Sequence, residues 1–178
     1  MECQLFVSLK NIDVKLTEFQ QVDEAVNLTT IFEPLFYDMV KIEMIRMDDA
    51  YHMAATNDRG NILHLDNGVE GGGKGAGFGP MQSLLSALGG CSVIDVVSIL
   101  KKQRQELKDI KVTITGEREK GVTPSLYQQA HVHFRLFGDI DMGKAEKAVA
   151  LSIDKYCSVA ETLRRAGAKV TYAFEIIK

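Results

Sequence analysis

Cysteine is scarce in this chain, with three among 178 residues. So few exclude a disulfide scaffold, and a hydrophobic core has to hold the fold together. Excess charge is also missing: the net charge is −3, and no block of Lys and Arg offers a footprint for nucleic acid. The opening MECQLFVSLKN lacks the basic start and long apolar stretch of a secretory leader, which makes a reducing cytoplasm the expected location. The longest apolar run, residues 84–100 (LLSALGGCSVIDVVSIL), carries Asp95, Ser86, Ser92, Ser98 and two glycines. It is too short and too polar for a bilayer span, so no membrane partner is expected and a central core helix is.

What is present fits one soluble domain. Apolar residues make up 46% and charged residues 25%, the balance of an ordinary globular protein. Residues 1–38 form an N-terminal extension, possibly helical near 17–32, where Thr17 and Gln20 have capping-box spacing. From 39 onward the pattern becomes that of a domain. Residues 40–47, 51–56 and 62–65 alternate as strands around Asp48-Asp49 and Asn57-Asp58-Arg59-Gly60, a three-stranded meander. A loop with seven glycines (68–79) then leads to Pro80, suited to the first turn of a helix that is expected to run to about Leu107.

Strands are expected over 111–119 and 127–137, then a helix from Asp141 to about Ala166, and a last strand over 169–177. The order βββ-α-ββ-α-β lacks the regular βαβ alternation of a parallel sheet and indicates an α+β domain. One small sheet is not enough to bury so apolar a first helix; two copies sharing their core helices would bury it.

Two of the cysteines occupy matching places. Cys91 lies in GPMQSLLSALGGCSVIDVVSILKK and Cys157 in GKAEKAVALSIDKYCSVAETLRRAG. Each alone reads as a small core hydrophobe. Together, two thiols on two buried helices can be oxidised and closed into a disulfide, the chemistry of peroxide reduction.

Pro80 eleven residues before Cys91, the run SALGGCS, and the later KYCSVAETL resemble the OsmC/Ohr family, the osmotically inducible and organic hydroperoxide resistance proteins. Their form here is most similar to an uncharacterised OsmC-like bacterial subgroup. The resemblance covers about residues 39–178. It implies an intertwined homodimer, with two central cysteine helices packed between sheets and the sites at the subunit interface. It also implies a thiol peroxidase acting on organic hydroperoxides without cofactor or metal. Cys91 would attack the peroxide and be resolved by Cys157, and a thiol reductant would restore both.

In that family an arginine from the N-terminal sheet and a glutamate early in the first helix hold the reactive cysteine as thiolate. Here Met81 and Gln82 stand near the glutamate's place, and Tyr51, His52 and Met53 near the arginine's. Gln82, as a hydrogen-bonding side chain, and His52, Arg46 or Arg59, as a source of positive charge, are the candidate substitutes. Asp95, one helical turn past Cys91, would oppose a thiolate if it faced the sulfur. The alternative function is therefore a non-catalytic protein of the same fold that binds a small apolar molecule or senses oxidation.

Two other patterns are weaker. Residues 68–75 (GVEGGGKG) approach a phosphate-binding loop, but Gly75 replaces the Ser or Thr that would hold Mg²⁺; a mobile loop over the site is expected. His131 and His133 share one face of a strand and suit a polar sheet surface better than a metal site. Cys3 reads as an exposed bystander.

Overall fold

The protein is described by a computed structural model covering residues 39–178. The extension 1–38, with its expected helix and Cys3, lies outside the described residues. Strands β1 (Ile42–Arg46), β2 (Met53–Asn57) and β3 (Ile62–Leu65) form an antiparallel sheet in sequential order. Its turns are held by short polar side chains, as the sequence indicates. The Asp48 carboxylate accepts the Ala50 and His52 N–H groups, and the Asn57 side chain accepts those of Arg59 and Asn61.

Helix α1 runs over Pro80–Lys102, and β4 follows at Glu106–Arg118. The helix therefore stops short of Leu107, which belongs to the strand. Neither Gly nor Pro ends it; the chain turns through Arg104, a non-glycine residue at φ 55°, which sequence pattern does not announce. Strand β5 (Tyr127–Asp139) needs a partner along its whole length, and Glu106 pairs with its last residue, Asp139. At 23 residues α1 is longer than its 17-residue apolar run, and by length and composition it could cross a bilayer. What makes it a core helix is the stripe Leu88, Ser92, Val96 and Leu100, buried at every fourth residue. Gly89 lets it lie close to the sheet, because a Cβ there would stand 2.6 Å from Ile114 Cδ1 of β4.

The second expected helix is broken. Helix α2 covers Met142–Leu151, a π turn covers Ser152–Tyr156, and α3 covers Ser158–Arg165. The Asp141 carboxylate caps α2 by accepting the Lys144 N–H. Strand β6 (Lys169–Ile177) then lies parallel to β5, as in Phe134 opposite Phe174. The domain has no regular βαβ alternation, as expected, but β5, α2–α3 and β6 form one such crossover inside it. Between α1 and the sheet, β5 buries Ala130, Val132, Phe134 and Leu136 in strict alternation. His131 and His133 face the other way, bonding Thr171 at 2.8 Å and approaching Glu175 at 3.9 Å.

The glycine-rich loop is built around a carboxylate. Asp66 is buried, and its oxygens accept the N–H groups of Asn67, Lys74 and Ala76 at 2.8–3.0 Å. Backbone amides that could cradle a phosphate thus hold a side chain of the same protein. Lys74 meanwhile pairs with Asp48 and Asp49 at 2.9 and 3.0 Å, which ties the loop to the turn between β1 and β2. Gly77 seals the arrangement, since a Cβ there would sit 2.5 Å from the His64 carbonyl.

The Ala76 N–H holds the Asp66 carboxyl below the usual range against the opposing effect of burial, aided by the Asn67 and Lys74 N–H groups. The folded state therefore binds this proton less tightly than the unfolded chain. Its stabilising contribution is complete above about 3.9 and is lost as pH falls through the lowered folded value. Asp66→Ala is expected to speed hydrogen exchange at Lys74 and Ala76 while leaving β5 amides protected. Unchanged exchange at those two amides would contradict this role.

Candidate active site

The two cysteines meet where α1 passes the start of α3. The π turn ends in a bond from the Cys157 N–H to the Ser152 carbonyl at 2.8 Å. Cys157 then turns extended (ψ 101°) and becomes the N-cap of α3. Its sulfur accepts the Ala160 N–H at 3.4 Å and the Ser92 hydroxyl lies 3.5 Å away. Ser92 itself donates to the Leu88 carbonyl at 2.7 Å. Ser152 ties the two segments together by donating to the Ser92 carbonyl at 3.0 Å.

Cys91 is half-buried and Cys157 buried, and both are free thiols. Burial pushes the Cys91 thiol up, and a hydrogen bond with Cys157 raises it further. The Val159 and Ser158 backbone N–H groups pull in the other direction. Both sulfurs therefore converge on the first amides of α3, where unpaired N–H groups and the helix dipole favour negative charge. Within the chain, burial and the Cys157 hydrogen bond outweigh these amides, and the Cys91 thiol stands above its ordinary value.

The other candidates are placed elsewhere. Gln82 accepts the Gly79 N–H at 2.9 Å and closes the start of α1. It precedes Cys91 by nine residues, roughly 13 Å along a helix axis. His52 Nε2 lies 2.9 Å from His64 Nδ1, so each occupies the other. Asp95 Oδ2 is buried and has no hydrogen-bond partner among the described residues. No hydrogen bond joins Arg46, His52, Gln82 or Asp95 to either cysteine sulfur among the described residues.

Strand register separates Arg46 from His64, the neighbour of His52. Arg46 shares its face of the sheet with Ile42 and Met44 and, through pairing, with Met53, Ala55, Leu63 and Leu65. His64 lies on the opposite face with Ile45, Ala54 and Ile62.

Three contributors were missed in the sequence: Ser92, Ser152 and the first amides of α3. Ser92 was the one open to inference, as a hydroxyl beside Cys91 on a helix apolar nearly all round. The amides depend on a helix break at Cys157, which no Gly or Pro marks. A cleft of about 330 Å³ opens beside Cys157 on the α3 side.

These elements define an α+β protein with a pair of thiols, one buried and one half-buried, at a helix start. Residues 71–173 match the family model described as OsmC-like protein, and the chain belongs to that family. Protein YhfA of Escherichia coli (strain K12) is 43% identical over 99 residues, covering 55% of this chain and 72% of that protein. A hypothetical protein from Aquifex aeolicus VF5 is similar in structure at 29% identity, with a TM-score of 0.65 over 79% of this chain and 98% of that one. The organic hydroperoxide resistance protein OhrB of Bacillus subtilis shares the fold at 16% identity, with a TM-score of 0.55 over 77% of this chain and 98% of that one.

Proposed function

We propose that the protein is a two-cysteine peroxidase that reduces organic hydroperoxides. The observation carrying this reading is the contact of Cys91 and Cys157 at the start of α3. The Cys91 thiolate attacks the terminal peroxide oxygen, the O–O bond breaks, and the alkoxide leaves as the alcohol after taking a proton. Cys157, as thiolate, then attacks the sulfenic sulfur; the S–S bond forms and hydroxide leaves as water. The apolar neighbours of Cys91 in the core, with Leu88 and Val96 on the same helix, favour an organic hydroperoxide over hydrogen peroxide. A reducing cytoplasm would supply the thiols that recycle the disulfide.

The reading includes a second copy. Ile94 on α1 is 71% exposed, and Ile42, Met44 and Leu63 lie open on the apolar face of the meander. So much open apolar surface calls for a cover, and the buried Asp95 oxygen calls for a donor. In an intertwined homodimer the apolar face would lie over the partner's cysteine helices and bring Arg46 with it, a cation that Cys91 lacks among the described residues of its own chain. OhrB of Bacillus subtilis carries hydroperoxide resistance in its name, in keeping with this assignment.

The pH dependence of Cys91 alkylation tests it. In the wild type, Cys91 is expected to titrate below about 8.5, the ordinary cysteine value. In Arg46→Ala it should titrate above that value, as burial in its own chain dictates. Oxidation of that variant by cumene hydroperoxide at neutral pH should then be slower by roughly tenfold or more, because less of Cys91 is thiolate. A wild-type Cys91 titrating above 8.5, as high as the variant, would favour the second reading: a binding or oxidation-sensing protein. The upward push of burial on Cys91 is the observation that favours that alternative.

A further inference from the structure

Ser92 differs from its neighbours on the buried stripe of α1. Leu88 and Val96, one turn to either side, are aliphatic, and all three side chains are fully buried. A hydroxyl in such a place is costly unless its hydrogen is bonded. The helix itself meets that need, since Ser92 Oγ donates to the Leu88 carbonyl at 2.7 Å. This bond explains how a serine is tolerated there, but not the second neighbour it has. Cys157 Sγ lies 3.5 Å from the same hydroxyl oxygen and 4.0 Å from the same carbonyl. Ser152 fixes the arrangement by donating to the Ser92 carbonyl at 3.0 Å. Among the described residues, the other donor on the Cys157 sulfur is the Ala160 N–H at 3.4 Å.

We infer that Ser92 is a catalytic residue of disulfide closure: its hydroxyl turns from the Leu88 carbonyl to the Cys157 sulfur as that thiol gives up its proton. The inference rests on the peroxidase reading for the step it serves. A serine hydroxyl has one hydrogen to donate. While Cys157 is a thiol, that hydrogen goes to the Leu88 carbonyl. When Cys157 attacks, its sulfur gives an electron pair to the sulfenic sulfur of Cys91, the S–O bond breaks, and hydroxide leaves. The Cys157 proton joins the hydroxide as water. At 3% exposure Cys157 has little water to solvate a charge, so the negative sulfur needs donors from the protein. Ser92 O–H and Ala160 N–H supply two. The titratable and charged groups facing Cys157 are Cys91 from α1, and Lys155, Tyr156 and Glu161 with its partner Arg165 from the π turn and α3. From β5 the core receives Ala130, Val132, Phe134 and Leu136, which carry no charge. Replacing Ser92 alters none of these groups, so a change in pH dependence belongs to the hydroxyl.

The test needs no peroxide. In full-length protein carrying Cys3→Ser, one equivalent of 4,4′-dithiodipyridine per chain at acidic pH places a thiopyridyl group on Cys91 and releases one thiopyridone. On a jump to higher pH, Cys157 attacks Cys91 Sγ, its proton passes to the buffer, and a second thiopyridone leaves as the disulfide closes. The absorbance of the second release times that step alone. Ser92→Ala is expected to slow it about tenfold near pH 7, with the difference shrinking toward about pH 9, where the solvent removes the proton unaided. Equal rates for the two proteins at every pH would overturn the inference. The same slowing at every pH would also overturn it, because that is the mark of a packing role. If the serine-92 protein gives no second release, closure itself is absent, and the inference and the peroxidase reading fall together. Failure of hydroperoxide to oxidise Cys91 while the second release keeps its dependence on Ser92 sinks only the peroxidase reading.

Discussion

Replacing Cys157 with serine is expected to stop the reaction halfway. Cumene hydroperoxide should still oxidise Cys91, but the sulfenic acid should persist long enough to be captured by dimedone, and no disulfide should form. Cys91→Ser should abolish the reaction, because the remaining thiol is sealed in the core: Cys157 is 3% exposed, with Ser92 and Ala160 on its sulfur. The asymmetry follows from placement. Cys91 is half-buried on the helix whose outer face is open, whereas Cys157 closes the inner end of α3. Dimedone labelling followed by peptide mass analysis decides the point. Labelling of Cys157 in the Cys91→Ser protein would reverse the assigned roles.

The largest loss of stability is expected at Phe134. Its side chain is fully buried on β5 in the hydrophobic core, and Phe134 pairs across the sheet with Val112 and Phe174. Phe134→Ala removes most of an aromatic side chain from a region that has little freedom to collapse, a cost of about 3–5 kcal/mol. His133→Ala, one residue away on the outer face, should cost less than about 0.5 kcal/mol. Urea unfolding of both variants, with unchanged slope, measures the difference. Equal losses would mean that the alternation of β5 does not set its buried face.

The sequence is most legible where chemistry is local. The meander follows from alternation and from Asp48 and Asn57, whose side chains must bond nearby amides. Pro80 and Lys169 begin their elements where pattern places them. The misses share one cause, packing that acts across the chain. Leu107 continues the helical spacing of α1, yet the length of β5 draws it into β4. The break at Cys157 lies in a stretch with good helical spacing, and only the bond to Ser152 and the meeting with α1 reveal it. The parallel pairing of β6 is a property of the sheet and not of any segment.

The site divides in the same way. The cysteine pair is visible as two motifs, and the structure joins them. The supporting candidates came from places where a charge or amide was expected, and Gln82 and His52 turn out to be occupied by Gly79 and His64. Apart from the Ser92 hydroxyl, the groups that act on the sulfurs are backbone amides, which no sequence pattern marks.

The most direct test of the account is the intact mass and peptide map of the reduced protein after one equivalent of cumene hydroperoxide. The account predicts loss of two hydrogens per chain and a peptide linking Cys91 to Cys157, formed faster than with hydrogen peroxide. Two unreacted thiols, or an added oxygen on Cys91 with no link to Cys157, would contradict it.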